Sequence, residues 1–429
     1  MALGSNLMSV EVVVIGDEIV LGLITDTNSS HICRRLVEYG QEVVRITKVG
    51  DSLSTIVSAL EAASSSDVVI TCGGLGPTHD DMTREAVARY LGTPLQLDSK
   101  ALHEIESMYS KAGRVMSEAN KVQAMIPLGA SYLSNQKGTA PGLKFTKNRT
   151  TYFCLQGVPK EMEWMLETHV VPFVSQFDRS SAILHRTIRT VGIPESVLFE
   201  KTKPVIDRFR SNLSIAFLPQ MTRGVDIRLT SRLHEEKQAL EIIQSAEAAF
   251  VSAIDGSFRA GVYGFDNDRL EDVTARLLFG SKKTVATAES CTGGLIAHRF
   301  TNVAGSSSYF IEGVVAYSNE AKIRDVGVPA ELIEMYGAVS KEVAVAMAEN
   351  MRTRAGTDIG LATTGIAGPG GGTDAKPVGL AFVALATKEH SIVKQITPLP
   401  FGIDRLSFKE RLSTFAIDLV RKHLMDIRS

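Results

Sequence analysis

Short apolar strands alternate with amphipathic helices in the first part of this 429-residue chain. The pattern predicts strands over residues 10–15, 43–49 and 67–71 and helices over residues 28–39 and 53–63. The run over residues 10–15 is mostly apolar, as expected for a strand that is buried on both faces of a parallel sheet. This alternation favours a doubly wound α/β domain, in which ligands bind at the carboxyl ends of the strands.

The size and charge of the chain limit the remaining choices. A chain of 429 residues exceeds what one hydrophobic core usually supports, so two or three domains are expected. The net charge of −2 gives no general attraction to nucleic acid or to an anionic membrane. We find no signal peptide, no run of eighteen apolar residues and no C-x-x-C pair among the four cysteines. These features predict a cytoplasmic protein with reduced thiols and no membrane span.

The third predicted strand ends in a glycine-rich turn with the sequence GGLGPTHDDMT. Gly73, Gly74 and Gly76 allow the backbone to approach a ligand closely. Asp80 and Asp81 follow, and they supply two hard oxygen ligands for a Mg²⁺ ion that bridges to a phosphate. Taken alone, D-D-x-T also describes an ordinary acidic first turn of a helix. Its position behind a glycine-rich turn at a strand end favours the ligand site.

A second strand, turn and helix signal is the sequence TAESCTGG, which begins at Thr287. Ser290 lies within the small-residue turn, where its hydroxyl is a candidate nucleophile. The backbone N–H groups at the start of the following helix are candidate donors to an anion such as a phosphate. In isolation, Ser290 and Thr292 are also explained as caps of that helix.

Another glycine-rich run, TGIAGPGGGT, begins at Thr364 after a predicted strand over residues 359–363. On its own this run describes a flexible loop equally well. It lacks the terminal Lys-Ser/Thr of a P-loop, so it does not support ATP hydrolysis. A further strand over 378–386 and helices over 270–279 and 405–424 predict a second α/β layer structure.

The segment between these two parts predicts a small α+β unit. Its predicted strands cover residues 183–191 and 225–229, and its predicted helices cover residues 197–209 and 237–251. An RNA-binding KH module needs a G-x-x-G loop to hold the nucleic-acid backbone, and this segment has none. We therefore interpret the segment as a spacer or a dimerising element rather than a nucleic-acid-binding module.

Over its whole length the chain resembles the CinA (competence/damage-inducible protein) family. In the first part the resemblance rests on GDE at 16–18, DTN at 26–28, GGLGPTHDDMT, Asn135 with GTAPG at 138–142, and GVPKEM at 157–162. The family usually has Pro where this chain has Gln156, a difference that concerns one turn. In the last part it rests on TAESCTGG, AYSNEAK, GAVS, TGIAGPGGGTDAKPVG and Arg405.

The resemblance implies three domains. The first, over residues 1–172, is a doubly wound α/β domain similar to the molybdopterin-binding fold of the MoaB and MogA proteins. A small KH-like α+β domain follows over residues 178–256, and an α/β CinA C-terminal domain occupies residues 262–429. For the C-terminal domain the resemblance implies a nicotinamide-nucleotide amidase, which hydrolyses nicotinamide mononucleotide (NMN) to nicotinate mononucleotide and ammonia.

For the first domain the resemblance implies a metal-dependent pyrophosphatase that acts on ADP-ribose. Its cofactor is expected to be a divalent metal, Mg²⁺, Mn²⁺ or Co²⁺. Glu18 is expected to face the opening of the same site. The candidate metal ligands are Asp17, Asp80, Asp81 and Thr83, and the candidate substrate-binding residues are Gly73, Gly74, Gly76 and Thr78.

The expected amide chemistry needs a nucleophile, a base and an anion hole. No histidine lies in the candidate loops, and a lysine that loses its proton through burial is the economical base. We therefore expect Ser290 to attack and Lys322 to accept its proton, with Tyr317 or Thr364 relaying it and no cofactor. Outside the family context, Lys322 reads as a solvated helix-end charge. The candidate substrate-binding residues are Thr292, Gly293, Gly294, Gly365, Gly368 and Arg405, the last of which is otherwise a surface ion-pair residue.

Two other functions stay open at this point. One is an interaction protein of the competence or recombination machinery, and the other is pterin binding by the first domain, which rests on fold analogy alone. A homodimer is expected, with NMN and ADP-ribose as small-molecule ligands and neither nucleic acid nor membrane as a partner.

Overall fold

A computed structural model describes residues 8–177, 183–233, 235–258, 260–400 and 402–425. The chain divides into two compact units, one of residues 1–184 with 232–240 and the other of residues 185–231 with 241–429. Among the described residues, no helix combines the length and the apolar character that crossing a membrane requires. The prediction of no signal peptide concerns residues 1–7, which lie outside the described residues, as do residues 178–182 at the start of the predicted middle domain.

The first unit is built on a six-stranded sheet with the order β2-β1-β3-β8-β7-β6. Its strands are β1 (Val10–Ile15), β2 (Val43–Val49), β3 (Val68–Cys72), β4 (Leu95–Leu97), β5 (Met125–Pro127), β6 (Ser131–Leu133), β7 (Gly142–Lys147) and β8 (Thr150–Leu155), of which β4 and β5 form a separate pair. Its helices are α1 (Asp17–Val20), α2 (Asn28–Glu38), α3 (Leu53–Ala62), α4 (Thr83–Leu91), α5 (Ser99–Lys111), α6 (Pro159–Met165) and α7 (Val171–Val174), with a 3₁₀ helix at Glu118–Ala124 and a π-helical turn at Leu166–Val170.

The predicted α/β architecture of this unit is confirmed, with one correction to the sheet. Strands β2, β1, β3 and β8 are parallel, but β7 and β6 are antiparallel to their neighbours. The reason is the connection between β7 and β8, where Lys147 pairs with Thr150 across a two-residue turn. Asn148 in that turn has φ of 56°, and so short a hairpin joins only antiparallel strands.

Both faces of this sheet are covered, which is why β1 and β3 are buried at every residue. One core contains Ile32 and Leu36 from α2 together with Met162 from α6. The other contains Ile56 and Leu60 from α3. The carboxyl ends of β1 and β3 lie between these two cores. The polar loops GDE and GGLG therefore begin at the same edge of the sheet.

The middle segment forms a four-stranded sheet with the order β10-β11-β9-β12. Its elements are β9 (Leu184–Thr190), α8 (Glu195–Phe209), β10 (Ser214–Gln220), β11 (Gly224–Ser231), α9 (Glu236–Phe258) and β12 (Val262–Phe265). Strand β12 pairs with β9, although the predicted boundary at residue 262 gives this strand to the C-terminal domain.

The C-terminal part contains a five-stranded sheet with the order β14-β13-β15-β16-β17. Its elements are α10 (Leu270–Ser281), β13 (Val285–Glu289), α11 (Leu295–Thr301), β14 (Phe310–Val315), α12 (Asn319–Val326), α13 (Ala330–Tyr336), α14 (Lys341–Ala355), β15 (Ile359–Gly365), β16 (Ala381–Ala386), β17 (Ser391–Ile396) and α15 (Arg405–Leu424), with a 3₁₀ turn at Ser306–Ser308. Strand β13 lies parallel to β14 and β15, whereas β16 and β17 run antiparallel.

Small residues allow helices to pack closely on this sheet. Ala286, Ala288 and Ala362 face a core that also contains Met347 of α14, while Phe408 of α15 belongs to the core on the opposite face. The carboxyl ends of β13 and β15, where Ser290 and the glycine-rich run begin, therefore emerge side by side between two layers of helices.

Candidate active sites

The turn that follows β13 is fixed to the neighbouring strand. The N–H of Ser290 donates to the Thr363 carbonyl oxygen at 3.0 Å, and the N–H of Gly293 donates to the Ser290 carbonyl oxygen at 3.1 Å. Gly293 and Gly294 have φ of 61° and 89°, values that favour glycine. Ser290 is thus held in a tight turn at the carboxyl end of two parallel strands.

The N-terminus of α11 is already occupied by a carboxylate. Glu289 is 1% exposed, and its two oxygens accept from the N–H groups of Ile296 at 3.1 Å and Ala297 at 2.8 Å. Glu289 therefore takes up two of the amide donors at this helix start, those of Ile296 and Ala297, which are then not available to a phosphate. The alternative that Ser290 and Thr292 cap the helix is wrong, since neither side chain makes a capping hydrogen bond.

A cavity of about 280 Å³ opens beside the Ser290 turn. All four predicted catalytic residues line it, together with the predicted binding residues Gly365, Gly368 and Arg405. Thr292, Gly293 and Gly294 do not line it. Thr292 is completely buried, with its hydroxyl 2.8 Å from that of Thr363. The lining residues are Ser290, Cys291, Tyr317, Asn319, Lys322, Ala338, Val339, Thr364, Gly365, Ile366, Ala367, Gly368, Gly370, Gly371 and Arg405.

Lys322 is a buried amine without a carboxylate partner. It is 2% exposed, and its Nζ donates to the carbonyl oxygens of Ala316 at 3.1 Å and Tyr317 at 3.3 Å. No described carboxylate lies within ion-pair distance of Lys322. Burial therefore lowers the pKa of Lys322, because the charged ammonium loses its hydration.

The side chains of Arg405 and Thr364 are bonded to the loops of the cavity. Arg405 donates to the Gly368 carbonyl oxygen at 2.7 Å and also to the Tyr317 hydroxyl. The Thr364 hydroxyl donates to the Ala338 carbonyl oxygen at 2.7 Å, so its proton is already engaged. These bonds join the wall made by α15 to the glycine-rich loop after β15.

Cys291 also lines the cavity, but its burial disfavours the thiolate form that would act as a nucleophile. Burial raises the pKa of Cys291 to about 12, and the nearby Glu289 carboxylate adds to the rise. A protonated buried thiol is a weak nucleophile and a weak metal ligand. The Ser290 hydroxyl is the better candidate of the two adjacent groups.

In the first unit, residues 83 and 84 hold the glycine-rich loop after β3. Thr83 is completely buried; its hydroxyl donates to the Gly73 carbonyl oxygen at 2.9 Å, and its N–H donates to the Gly74 carbonyl oxygen at 3.0 Å. The buried Arg84 donates to the carbonyl oxygens of Leu75 at 2.5 Å and of residue 76 at 2.6 Å. The predicted role of Thr83 as a metal ligand finds no support in this placement, because the side chain faces inward.

Glycine is required in this loop by close contacts. A Cβ on Gly73 would lie 2.1 Å from the Ile15 carbonyl oxygen, and a Cβ on Gly74 would lie 2.4 Å from the Thr83 hydroxyl. A Cβ on Gly76 would lie 2.4 Å from an oxygen of Asp81. The loop therefore packs directly on the end of β1 and on the acidic turn that follows it.

Carboxylates gather at the mouth of this loop. Asp81 accepts from the N–H of Thr78 at 2.8 Å and from its hydroxyl at 2.5 Å, while the Asp80 side chain is 63% exposed. Asp17 and Asp51 exchange backbone-to-carboxylate hydrogen bonds at 2.8 and 3.2 Å. Burial raises the pKa of Asp51, and repulsion from Asp17, Glu18 and Asp80 adds to the rise.

This acidic mouth fits a cation that takes few ligands from the protein. No group of three or more His, Cys, Asp or Glu side chains with metal-binding geometry occurs among the described residues. Magnesium usually binds one or two carboxylates and completes its shell with water and substrate oxygens. The repulsion that Asp17 and Asp80 exert on Asp51 is of the kind that such a cation relieves.

Comparison with known proteins identifies the family. Models of a probable molybdopterin binding domain, the damage-inducible protein CinA KH domain and the CinA C-terminal domain match residues 11–176, 185–258 and 267–424. A CinA-like protein of Dictyoglomus thermophilum is 41% identical over 423 residues, which cover 98% of this chain and all of that protein. The chain belongs to the CinA family.

Further CinA proteins match the whole chain or a part of it. A CinA-like protein of Kosmotoga olearia is 39% identical over 422 residues, covering 98% of this chain and 100% of that protein. A crystal structure of CinA from Thermoplasma acidophilum, described as having unknown function, is 36% identical and covers 39% of this chain and 99% of its own, with a TM-score of 0.37.

Some residues of this CinA chain that shape the two sites were missed by sequence reasoning. Glu289 lies in an apolar strand and gave no signal of its bond to the next helix. Asp51 lies near the predicted metal ligand Asp17, and Asn319 lines the same cavity as Lys322. The clustering of polar residues at strand ends is the sequence signal that points to both. Gln156, where the family usually has Pro, is buried and donates to the carbonyl oxygens of Ala140 and Pro141 at 3.0 Å.

Proposed function

We propose that the C-terminal domain is an amide hydrolase that converts NMN and water into nicotinate mononucleotide and ammonia. The observation that carries this proposal is that Ser290 and the desolvated Lys322 open into one cavity. No histidine is among the residues that line it. A buried amine with a lowered pKa is the group that accepts a serine proton near neutral pH.

In the proposed reaction Ser290 Oγ attacks the carboxamide carbon while neutral Lys322 takes the hydroxyl proton. The C–N bond then breaks, and the lysine returns the proton to the leaving ammonia. Water attacks the resulting ester while Lys322 accepts a proton from it. The ester C–O bond then breaks, Lys322 returns the proton to Ser290 Oγ, and nicotinate mononucleotide is released. The bonds from Arg405 to Gly368 and Tyr317 keep the opposite wall in place during both steps.

Replacing the nucleophile tests this proposal. Ser290→Ala should abolish ammonia release from NMN, with the far-ultraviolet circular dichroism unchanged. Ser391→Ala is a matched control, because Ser391 lies on β17 and bonds to Glu349 outside the cavity. Ammonia release that continues at the wild-type rate in Ser290→Ala would refute the serine mechanism.

For the first domain we propose a metal-dependent ADP-ribose pyrophosphatase. The glycine-rich loop and the carboxylates at its mouth support this function. Asp17, Asp80 and Asp81 are the residues that would hold a divalent cation, which when bound neutralises pyrophosphate charge. Gly73, Gly74 and Gly76 let the substrate approach the backbone, and Thr78 orients Asp81.

Asp81→Ala should abolish ADP-ribose cleavage and leave ammonia release unchanged. A chelator should have the same selective effect, and addition of Mg²⁺, Mn²⁺ or Co²⁺ should restore cleavage. Cleavage that persists without divalent metal would refute the metal role. Product analysis after incubation with both nucleotides compares the two activities in one sample. The predictions of a homodimer in the cytoplasm, without nucleic acid or membrane partners, belong to the same proposal.

A further inference from the structure

Helix α15 carries two basic side chains one turn apart toward the Ser290 turn. Arg405, at its first residue, lines the cavity. Lys409 follows four residues later, and residues at this spacing are neighbours on a helix surface. Lys409 Nζ lies 3.4 Å from the position that a Cβ on Gly293 would take. The ammonium group is therefore in contact distance of the same turn that carries Ser290.

These two cations differ in what they are already bonded to. Arg405 donates to the Gly368 carbonyl and to the Tyr317 hydroxyl, so part of its guanidinium is used by the protein. None of the described residues accepts a hydrogen bond from Lys409 or forms an ion pair with it. Lys409 is half-buried, and within the described part of the chain its positive charge has no ion-pair partner.

The shape of a mononucleotide suggests a function for the charge of Lys409. The carboxamide of NMN and its phosphate lie at opposite ends of the molecule, separated by the ribose. When the carboxamide carbon is at Ser290, the phosphate must lie outside the immediate surroundings of that hydroxyl. Gly293 is three residues further along the turn, is exposed, and has no side chain that would block an approaching group. Lys409 Nζ lies directly beside this glycine.

We infer that Lys409 binds the phosphate of the amidase substrate and makes the domain select a phosphorylated nucleotide over the corresponding nucleoside. This inference rests on the proposed amidase function. Arg405 is then mainly a positioning residue for the loop and Tyr317, and Lys409 supplies the unpaired charge. A lysine is suited to this task because its ammonium is a point charge with three donors on a flexible stem.

The test compares two substrates in the full-length protein. Ammonia release is measured with NMN and with nicotinamide riboside, which lacks the phosphate, for the wild type, Lys409→Ala and Lys409→Arg. One charge-assisted hydrogen bond to phosphate corresponds to a change of about 10- to 100-fold in affinity. We expect Lys409→Ala to lower kcat/KM for NMN by about this factor through KM, with the riboside unaffected. Lys409→Arg should retain most of the activity.

A control and a binding measurement complete the design. Lys394→Ala removes one exposed lysine of β17 and should leave both substrates unchanged. In Ser290→Ala protein, calorimetric binding of NMN should weaken by the same factor when Lys409→Ala is added. Equal losses on both substrates, or an unchanged affinity for NMN, would overturn the assignment of Lys409. Absence of ammonia release in the wild type would instead overturn the amidase, and the calorimetric comparison would still decide the role of Lys409.

Discussion

The Glu289 carboxylate offers the sharpest test of how the Ser290 turn is held. Glu289→Ala removes the acceptor for two N–H groups at the start of α11, those of Ile296 and Ala297. The carboxylate that accepts from them is shielded from water, since Glu289 is 1% exposed. No other described side chain caps this helix.

The expected loss of stability follows from these two contacts. A hydrogen bond to a charged group contributes about 1.5–3 kcal/mol, so the loss of both costs about 3–6 kcal/mol. With a urea m-value of about 2 kcal/mol/M, the unfolding midpoint falls by about 1.5–3 M. Glu289→Gln keeps one acceptor oxygen and should lose about half as much.

The chain allows this loss to be assigned to one unit. Trp164 is the only tryptophan, and it lies in α6 of the first unit. Its fluorescence therefore follows the unfolding of that unit, whereas far-ultraviolet circular dichroism follows the helices of both. We expect Glu289→Ala to move a transition seen by circular dichroism and to leave the fluorescence transition in place.

A second carboxylate in the same sheet provides the control. Glu312 on β14 pairs with Arg354 at 2.8 Å, but both side chains are partly exposed, and exposed ion pairs contribute about 0–1 kcal/mol. Glu312→Ala should therefore shift the midpoint little. A Glu289→Ala shift no larger than that of Glu312→Ala, or an equal shift in fluorescence, would refute the structural role assigned to Glu289.

Three further predictions follow from buried groups. Lys322→Met should abolish ammonia release and raise stability at neutral pH. Burial lowers the pKa of Lys322, so the gain in stability should shrink as the pH rises towards about 10.4, the ordinary pKa of lysine. Urea unfolding of both proteins at several pH values measures this change. Arg84→Met leaves two loop carbonyls without donors, should cost about 1–3 kcal/mol for each, and should reduce ADP-ribose cleavage but not ammonia release. Of the four cysteines, only Cys33 is not buried, so a thiol reagent should modify at most one thiol in the native protein and all four in denaturant.

The sequence predicted the elements with strong local signals. The helix predicted over 405–424 is α15, with the same bounds, and the strands predicted over 10–15 and 43–49 are β1 and β2. These segments have clear apolar periodicity and polar or glycine breakers at their ends. The strand predicted over 378–386 begins only at Ala381, because Gly379 before it has φ of 95°.

Elements that depend on distant partners were not predicted. The pairing of strands β10 and β12 with β11 and β9 is decided by residues far away in the chain or by a neighbouring turn. The antiparallel direction of β7 depends on the turn at Asn148. Sequence periodicity describes which faces of a segment are apolar, but not which neighbour supplies its hydrogen bonds.

In the candidate sites, too, features with a local sequence signal were predicted and features that depend on three-dimensional contacts were not. Glycine-rich turns at strand ends indicated both loops, and the cavity beside Ser290 contains Lys322, Tyr317, Thr364 and Arg405. The sequence did not indicate that Glu289 fills the helix start or that Thr83 faces inward. Such roles depend on where a side chain points in three dimensions, which residue type and spacing leave undetermined.

The inward bonding of the loop after β3 has an electrostatic consequence for the first unit. Four successive carbonyl oxygens, those of residues 73–76, accept from Thr83 and Arg84. The negative ends of these peptide dipoles are therefore neutralised within the protein, and an incoming dianion meets little repulsion from the main chain. The repulsion that remains comes from the carboxylates at the entrance, so for the proposed pyrophosphatase charge compensation at the entrance is what governs admission of the substrate.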